Sequence, residues 1–185
     1  MQRGNFKCDR KSKELFCSIM EDKFYRVITD IPEDEYSSND IYMTGLTSTG
    51  KIKTYAIELK DRKGNEAEGI RGYKSTDYGT SARTEGHIIE DRKVRNLEEA
   101  TNSGYTPIYA MFFDDDVLAV WDLSRMPDGW QDRRDSEKTY HLHTVDNEGG
   151  TYRKAKIGMW FKDCVMILKY DKERDNWGDC RKRYS

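Results

Sequence analysis

Between Asp9 and Arg26 the apolar residues Leu15, Phe16, Ile19, Met20 and Phe24 recur at close to the spacing of one helical face. Lys11, Lys13, Glu14, Glu21, Asp22 and Lys23 fill the remaining positions, so the pattern predicts an amphipathic first helix. An acidic, turn-rich stretch from Asp30 to Asn39, broken by Pro32, follows it. Two short strands come next, Asp40–Gly45 and Lys51–Lys60, separated by the turn signal Ser48-Thr49-Gly50 and expected to lie side by side. The stretch from Asp61 to Thr84 is rich in glycine and poor in aliphatic residues, and reads as a loop. A second helix is expected from about Gly86 to Ser103, with Ile88, Ile89, Val94 and Leu97 as its apolar positions and Gly104 ending it.

Pro107–Phe113 and Val117–Trp121 are continuous apolar runs, the pattern of strands buried on both faces, around Asp114-Asp115-Asp116. A polar turn is required between such strands, so the three aspartates read as a turn before they read as a metal cluster. Further short strands are expected at Tyr140–Val145 and Ile157–Phe161. Beyond Tyr170 the chain is charged and weakly patterned, which divides it into a single domain over residues 1–170 and a charged tail over 171–185. The order of helix, strands, helix and strands predicts an α/β fold with a central mixed β-sheet flanked by helices.

With 185 residues the chain is long enough for one well-filled core. Charged residues make up 36% of it, yet aromatics reach 12%, which excludes wholesale disorder. Lys and Arg number 32 against 34 Asp and Glu, so a purely electrostatic polycation is excluded and a local basic groove is not. There is no apolar stretch of bilayer length and no signal-peptide core, and no membrane association is expected. Cys8, Cys17, Cys164 and Cys180 form no C-x-x-C pair, which excludes a zinc ribbon. They read as free thiols in a reducing cytoplasm, with Cys17 and Cys164 in the core.

The candidate chemistry lies in Thr54–Lys60. In a strand, Tyr55, Ile57 and Leu59 point to one face, and Thr54, Ala56, Glu58 and Lys60 point to the other. If the two strands pair, Asp40 and Glu58 can converge on one hard divalent cation such as Mg²⁺, which takes one or two protein carboxylates and completes its shell with water. Lys60 beside that metal would lower the pKa of a bound water and offset phosphate charge. Basic residues including Arg62, Lys63, Arg71, Lys74, Arg83, Arg92 and Lys93 surround the acidic centre, as backbone binding around a metal site requires. His141 and His143 share a strand face, but with no third ligand evident they read as a polar edge. Trp121, Trp130 and Trp160 offer stacking surfaces, although Trp121 ends an apolar strand and fits the core better.

The order Asp40 … Glu58-Leu59-Lys60, after one amphipathic helix and before Ile89-Glu90-Asp91-Arg92-Lys93 and two apolar strands, resembles the PD-(D/E)XK nuclease superfamily, the restriction-endonuclease and Holliday-junction-resolvase fold. It looks most like the small phage and bacterial members. The likeness covers roughly the first two-thirds of the chain, with Asn39 where the family motif has proline. It implies Asp40 and Glu58 as ligands of Mg²⁺, with Mn²⁺ as a substitute, and Lys60 as the catalytic lysine. It also implies Glu14 as an extra acidic residue near the metal, with Glu21 as an alternative. Glu90 and Lys93 would flank the site, Lys93 meeting a phosphate, or would form only a surface ion pair. Arg62 and Lys63 would hold DNA. The implied activity is metal-dependent DNA phosphodiester cleavage, by a protein that acts alone or as a homodimer. The alternatives are a catalytically silent nuclease-fold protein that binds nucleic acid or a protein partner, and a phage accessory or structural protein.

Overall fold

The computed structural model describes residues 10–23, 26–33, 37–46, 49–62, 67, 86–114, 116–132, 144–145, 151–152 and 156–184. Its centre is a mixed seven-stranded sheet with helices against it, an α/β architecture. Helix α1 (Arg10–Lys23) leads into β1 (Val27–Asp30), β2 (Ile41–Leu46) and β3 (Ile52–Arg62). Then come β4 (Gly86–Glu90), α2 (Asp91–Asn102), β5 (Thr106–Phe113) and β6 (Val117–Asp122). Two short strands, β7 (Thr144–Val145) and β8 (Thr151–Tyr152), precede β9 (Lys156–Trp160), β10 (Met166–Asp171), β11 (Asn176–Asp179) and a short helix α3 (Arg181–Tyr184). The main sheet runs β1-β2-β3-β5-β6-β10-β11. All its neighbours are antiparallel except β3 and β5, which are parallel and joined through β4 and α2. No described helix is long and apolar enough to cross a membrane.

Period-2 alternation gives the sheet two apolar faces. Ile41, Met43, Ile57, Leu59, Ile108 and Ala110 face α1, which buries Phe16, Cys17, Ile19 and Met20 against them. Ala56, Tyr109, Met111, Ala119 and Trp121 face α2, whose Val94, Leu97 and Ala100 cover them together with Ile157 and Met159 of β9. Strands β5 and β6 are buried on both sides, as their continuous apolar runs require. Between them Asp114 and Asp116 lie in the tight turn, Asp116 at φ +58°, which fits the turn reading of the acidic run. Trp121 is fully buried, and its indole N–H donates to the Trp160 carbonyl at 2.9 Å.

Two boundaries differ from the sequence expectation. Ile88 and Ile89 do not open the second helix; residues 86–90 form β4, antiparallel to β9, and α2 starts only at Asp91. A short apolar pair fits a strand and a helix face equally well, and here a strand distant in sequence supplies the hydrogen bonds. The helix ends where expected, at Gly104 with φ +88°, whose N–H donates to the Thr101 carbonyl. Residues 171–185 are not merely a tail: Asp171 completes β10, and β11 forms one edge of the main sheet. Of the expected strand Tyr140–Val145, only Thr144 and Val145 are described, paired with β8, and His141 and His143 lie outside the described residues.

Ile57 is completely buried in β3 against α1, whereas Ile52 of the same strand is 73% exposed. Ile57→Ala should therefore cost about 2–5 kcal/mol, and Ile52→Ala should stay within about 0.5 kcal/mol of wild type. Denaturant unfolding of the two variants checks the difference.

Candidate active site

Strand β3 extends beyond β2: the pairing stops at Ile41 opposite Ile57, and β3 continues to Arg62. Past that point the β2 chain turns away, and the Asp40 side chain takes over the role of a ladder carbonyl. Its Oδ2 accepts the Leu59 N–H at 3.0 Å, while the Asp40 N–H donates to the Ile57 carbonyl at 2.9 Å. The carboxylate is thereby fixed beside the second half of β3, where an otherwise open amide would need a partner.

Alternation turns Glu58 to the α2 face, in line with buried Ala56 and with Lys60. Glu58 is 1% exposed, an uncommon burial for a carboxylate, and two lysines answer it. Lys60 Nζ lies 3.0 Å from Oε1, and Lys93 Nζ, from the first turn of α2, lies 2.9 Å from Oε2. Only Lys93 donates a hydrogen bond; Oε1 accepts none among the described residues, because Lys60 approaches it outside hydrogen-bonding geometry. Lys13 of α1 reaches Asp40 Oδ1 at 3.0 Å. Two carboxylates and three ammonium groups are thus gathered from α1, α2, β3 and the start of β2, an excess of one positive charge.

Burial drives the Glu58 carboxyl above its ordinary range, Lys60 and Lys93 pull it down, and the Asp40 charge pushes it up again. A second orphaned acceptor lies close in sequence to Asp40. Asn39 is 3% exposed, its Nδ2 donates to Tyr42 Oη at 3.2 Å, and its Oδ1 has no hydrogen-bond partner among the described residues.

Asp40, Glu58 and Lys60 lie together, and Lys93, expected to flank the site and meet a phosphate or to pair with Glu90, pairs with Glu58. Glu14 does not join them: its side chain is 56% exposed and pairs with Arg10 at 2.9 Å. Lys13, one position earlier, holds the place expected for that acid. The signal for Lys13 was present in the helical spacing, since it lies three and four residues before buried Phe16 and Cys17. Glu21 is exposed as well. Glu90 forms the N-cap position of α2 rather than a helical turn with Lys93, whose partner is Glu58. Arg62 pairs through its backbone with Phe113 in β5, and Lys63 lies outside the described residues.

The residues that could hold a hard cation are Asp40 and Glu58: Mg²⁺ needs only one or two protein carboxylates, and the buried Glu58 Oε1 accepts no hydrogen bond among the described residues, with the Lys60 ammonium 3.0 Å from it. Among the described residues no group of three or more His, Cys, Asp or Glu side chains converges, so water or substrate would supply the other ligands.

Raised above its unfolded value, the Glu58 pKa makes the metal-free fold bind the extra proton more tightly than the unfolded chain. Glu58's contribution to stability is therefore greatest below the unfolded pKa and is lost as pH rises through the folded one. In Lys93→Met, which removes a charge that lowers this pKa, the carboxyl should titrate at still higher pH. Carbon NMR of the Glu side chains under chelator, with urea unfolding across the same pH range, checks both expectations. Comparison of the chain with protein-family models, with curated proteins and with solved structures found no match.

Proposed function

We propose that this protein is a Mg²⁺-dependent phosphodiesterase acting on DNA, with a restriction-endonuclease-like arrangement of its core. The observation that carries this reading is the buried Glu58 oxygen left without a hydrogen bond in a cluster that also holds Asp40 and Lys60. Support comes too from the order of α1, the β1–β3 meander, α2 and β5, in which the parallel β3–β5 pair leaves Glu58 beside the first turn of the crossover helix.

Asp40 and Glu58 would hold the Mg²⁺, which when bound supplies a water of lowered pKa and charge to offset that on the phosphate. Asp40 is oriented for this by the Leu59 amide, which occupies one of its oxygens and leaves Oδ1 to Lys13 or a ligand. Lys60 carries its ammonium 3.0 Å from Glu58 Oε1 and would orient the attacking water. Lys93 and Lys13 are both about four-fifths buried and can turn from a carboxylate to a phosphate oxygen with little movement. The excess positive charge favours an anionic substrate over a neutral one.

The same excess supports a second reading, in which the protein binds nucleic acid without cutting it, because the three lysines already outweigh the charge of the two carboxylates. The two readings part on cleavage. Plasmid nicking in Mg²⁺ or Mn²⁺ should be abolished in Asp40→Ala/Glu58→Ala, with the fold retained. It should fall about 10²–10⁴-fold in Lys60→Met, and it should be unchanged in Glu14→Gln. Titration calorimetry with Mn²⁺ should show binding lost in the double variant. Nicking by the double variant at the wild-type rate would overturn the proposal, and DNA binding by a wild type that never nicks would favour the second reading.

A further inference from the structure

A cavity of about 240 Å³ opens beyond the end of β6, away from the Asp40–Glu58 cluster. Its walls come from the 3-10 turn after β6 (Arg125), from Pro127, from the turn between β9 and β10 (Lys162 to Val165), and from Arg181 of α3. Arg125, Lys162 and Arg181 are exposed and line the pocket with one carboxylate, Asp163, so its lining among the described residues carries an excess of two positive charges in a chain whose net charge is -2. None of the three forms an ion pair among the described residues.

The frame beneath them is fixed. Cys164 is fully buried and its N–H donates to the Phe161 carbonyl at 3.0 Å, and the Val165 N–H donates to the Val120 carbonyl at 2.9 Å. Lys162 is held over the Trp160 ring with its Nζ 4.3 Å from the centroid. Two guanidinium forks and an ammonium around a space of this size suit a tetrahedral oxyanion, since the forks grip paired oxygens and the ammonium adds a point charge. A nucleobase would need an open aromatic face, and Lys162 covers the neighbouring Trp160 ring. A backbone phosphate has no such need.

The pocket also has a defined relation to the candidate active site. Glu58 is opposite Tyr109, Tyr109 is opposite Trp121, and the Val165 N–H is bonded to the neighbouring Val120, so the backbone of Val165, on the pocket wall, lies near the level of Glu58, three strands away. At about 4.8 Å per strand this is about 14 Å, comparable to the rise of about four nucleotides along one strand of a duplex.

We infer that the Arg125–Lys162–Arg181 pocket is a second contact for a backbone phosphate of the nucleic acid that reaches the Asp40–Glu58 cluster; this rests on the nucleic-acid reading of that cluster. The pocket fixes the strand at a distance from the carboxylates and contributes affinity without contacting the cleaved bond.

The test measures anisotropy of fluorescein-labelled duplex and single-stranded oligonucleotides against salt, in chelator so that cleavage plays no part. Arg125→Ala/Arg181→Ala should bind about tenfold more weakly, with a salt slope smaller by about two. Arg125→Lys/Arg181→Lys should recover most of the slope, and Lys172→Ala/Arg174→Ala, at the β10–β11 turn, should leave it at the wild-type value. Circular dichroism confirms that each variant is folded. A wild type that binds DNA with a slope unchanged in Arg125→Ala/Arg181→Ala overturns the pocket and leaves the cluster's reading standing. An equal loss in Lys172→Ala/Arg174→Ala makes the contact diffuse and also overturns it. Saturable binding of inorganic phosphate that the arginine variant loses, with its DNA slope intact, would make this a site for free phosphate instead. A wild type that binds neither oligonucleotide at low salt overturns the nucleic-acid reading, and the pocket with it.

Discussion

The Glu58 carboxylate is the constraint around which the site is arranged. A charge at 1% exposure is costly unless it is answered, and the chain answers it with Lys60 from the same strand and Lys93 from the crossover helix. That requirement reaches outward. Lys93 can meet Glu58 only if α2 starts near the second half of β3, which the parallel pairing of β3 with β5 allows. Asp40 is kept beside Glu58 by the Leu59 amide and Lys13 at its carboxylate and by its own N–H on the Ile57 carbonyl. Removing either lysine would leave a buried charge poorly compensated, so the ionic network constrains the packing of α2 as much as the packing constrains the network.

The two faces of β3 do different work. Tyr55, Ile57 and Leu59 bind the strand to α1, while Ala56, Glu58 and Lys60 face the crossover helix. Asp61, back on the α1 side, accepts a hydrogen bond from Ser12 at 2.9 Å. Helix α1 therefore contributes more than apolar cover: Ser12 and Lys13 tie its start to the residues that flank Glu58. A shift of α1 along the sheet would be felt at Asp40 directly.

Much of this was legible in the sequence because it depends on local periodicity. Alternation in Thr54–Lys60 assigned the faces of β3, the turn signal at Ser48–Gly50 marked the β2–β3 hairpin, and the continuous apolar runs marked β5 and β6. What escaped depends on partners remote in the chain. Ile88 and Ile89 belong to β4 because β9 pairs with them, and nothing near residue 88 announces residue 158. Residues 176–179 look polar because β11 is a sheet edge with one neighbour, where little burial is asked of a side chain. Glu14 drew attention as the acid in α1, and the helix instead presents Lys13, a distinction that needs the exact phase of the buried stripe.

The pairing of β4 with β9 bears on how the chain folds. The β2–β3 hairpin closes a short loop, so Asp40 and the Glu58 strand meet early, while Glu58 is still hydrated and its charge costs little. Residues 86–90 must wait for residues 156–160 before the layer over the α2 face is complete. Contacts so far apart in sequence form slowly. The dehydration of Glu58 requires α2 to be docked with Lys93 seated on its carboxylate, so the packing of that helix carries the electrostatic cost of the site itself.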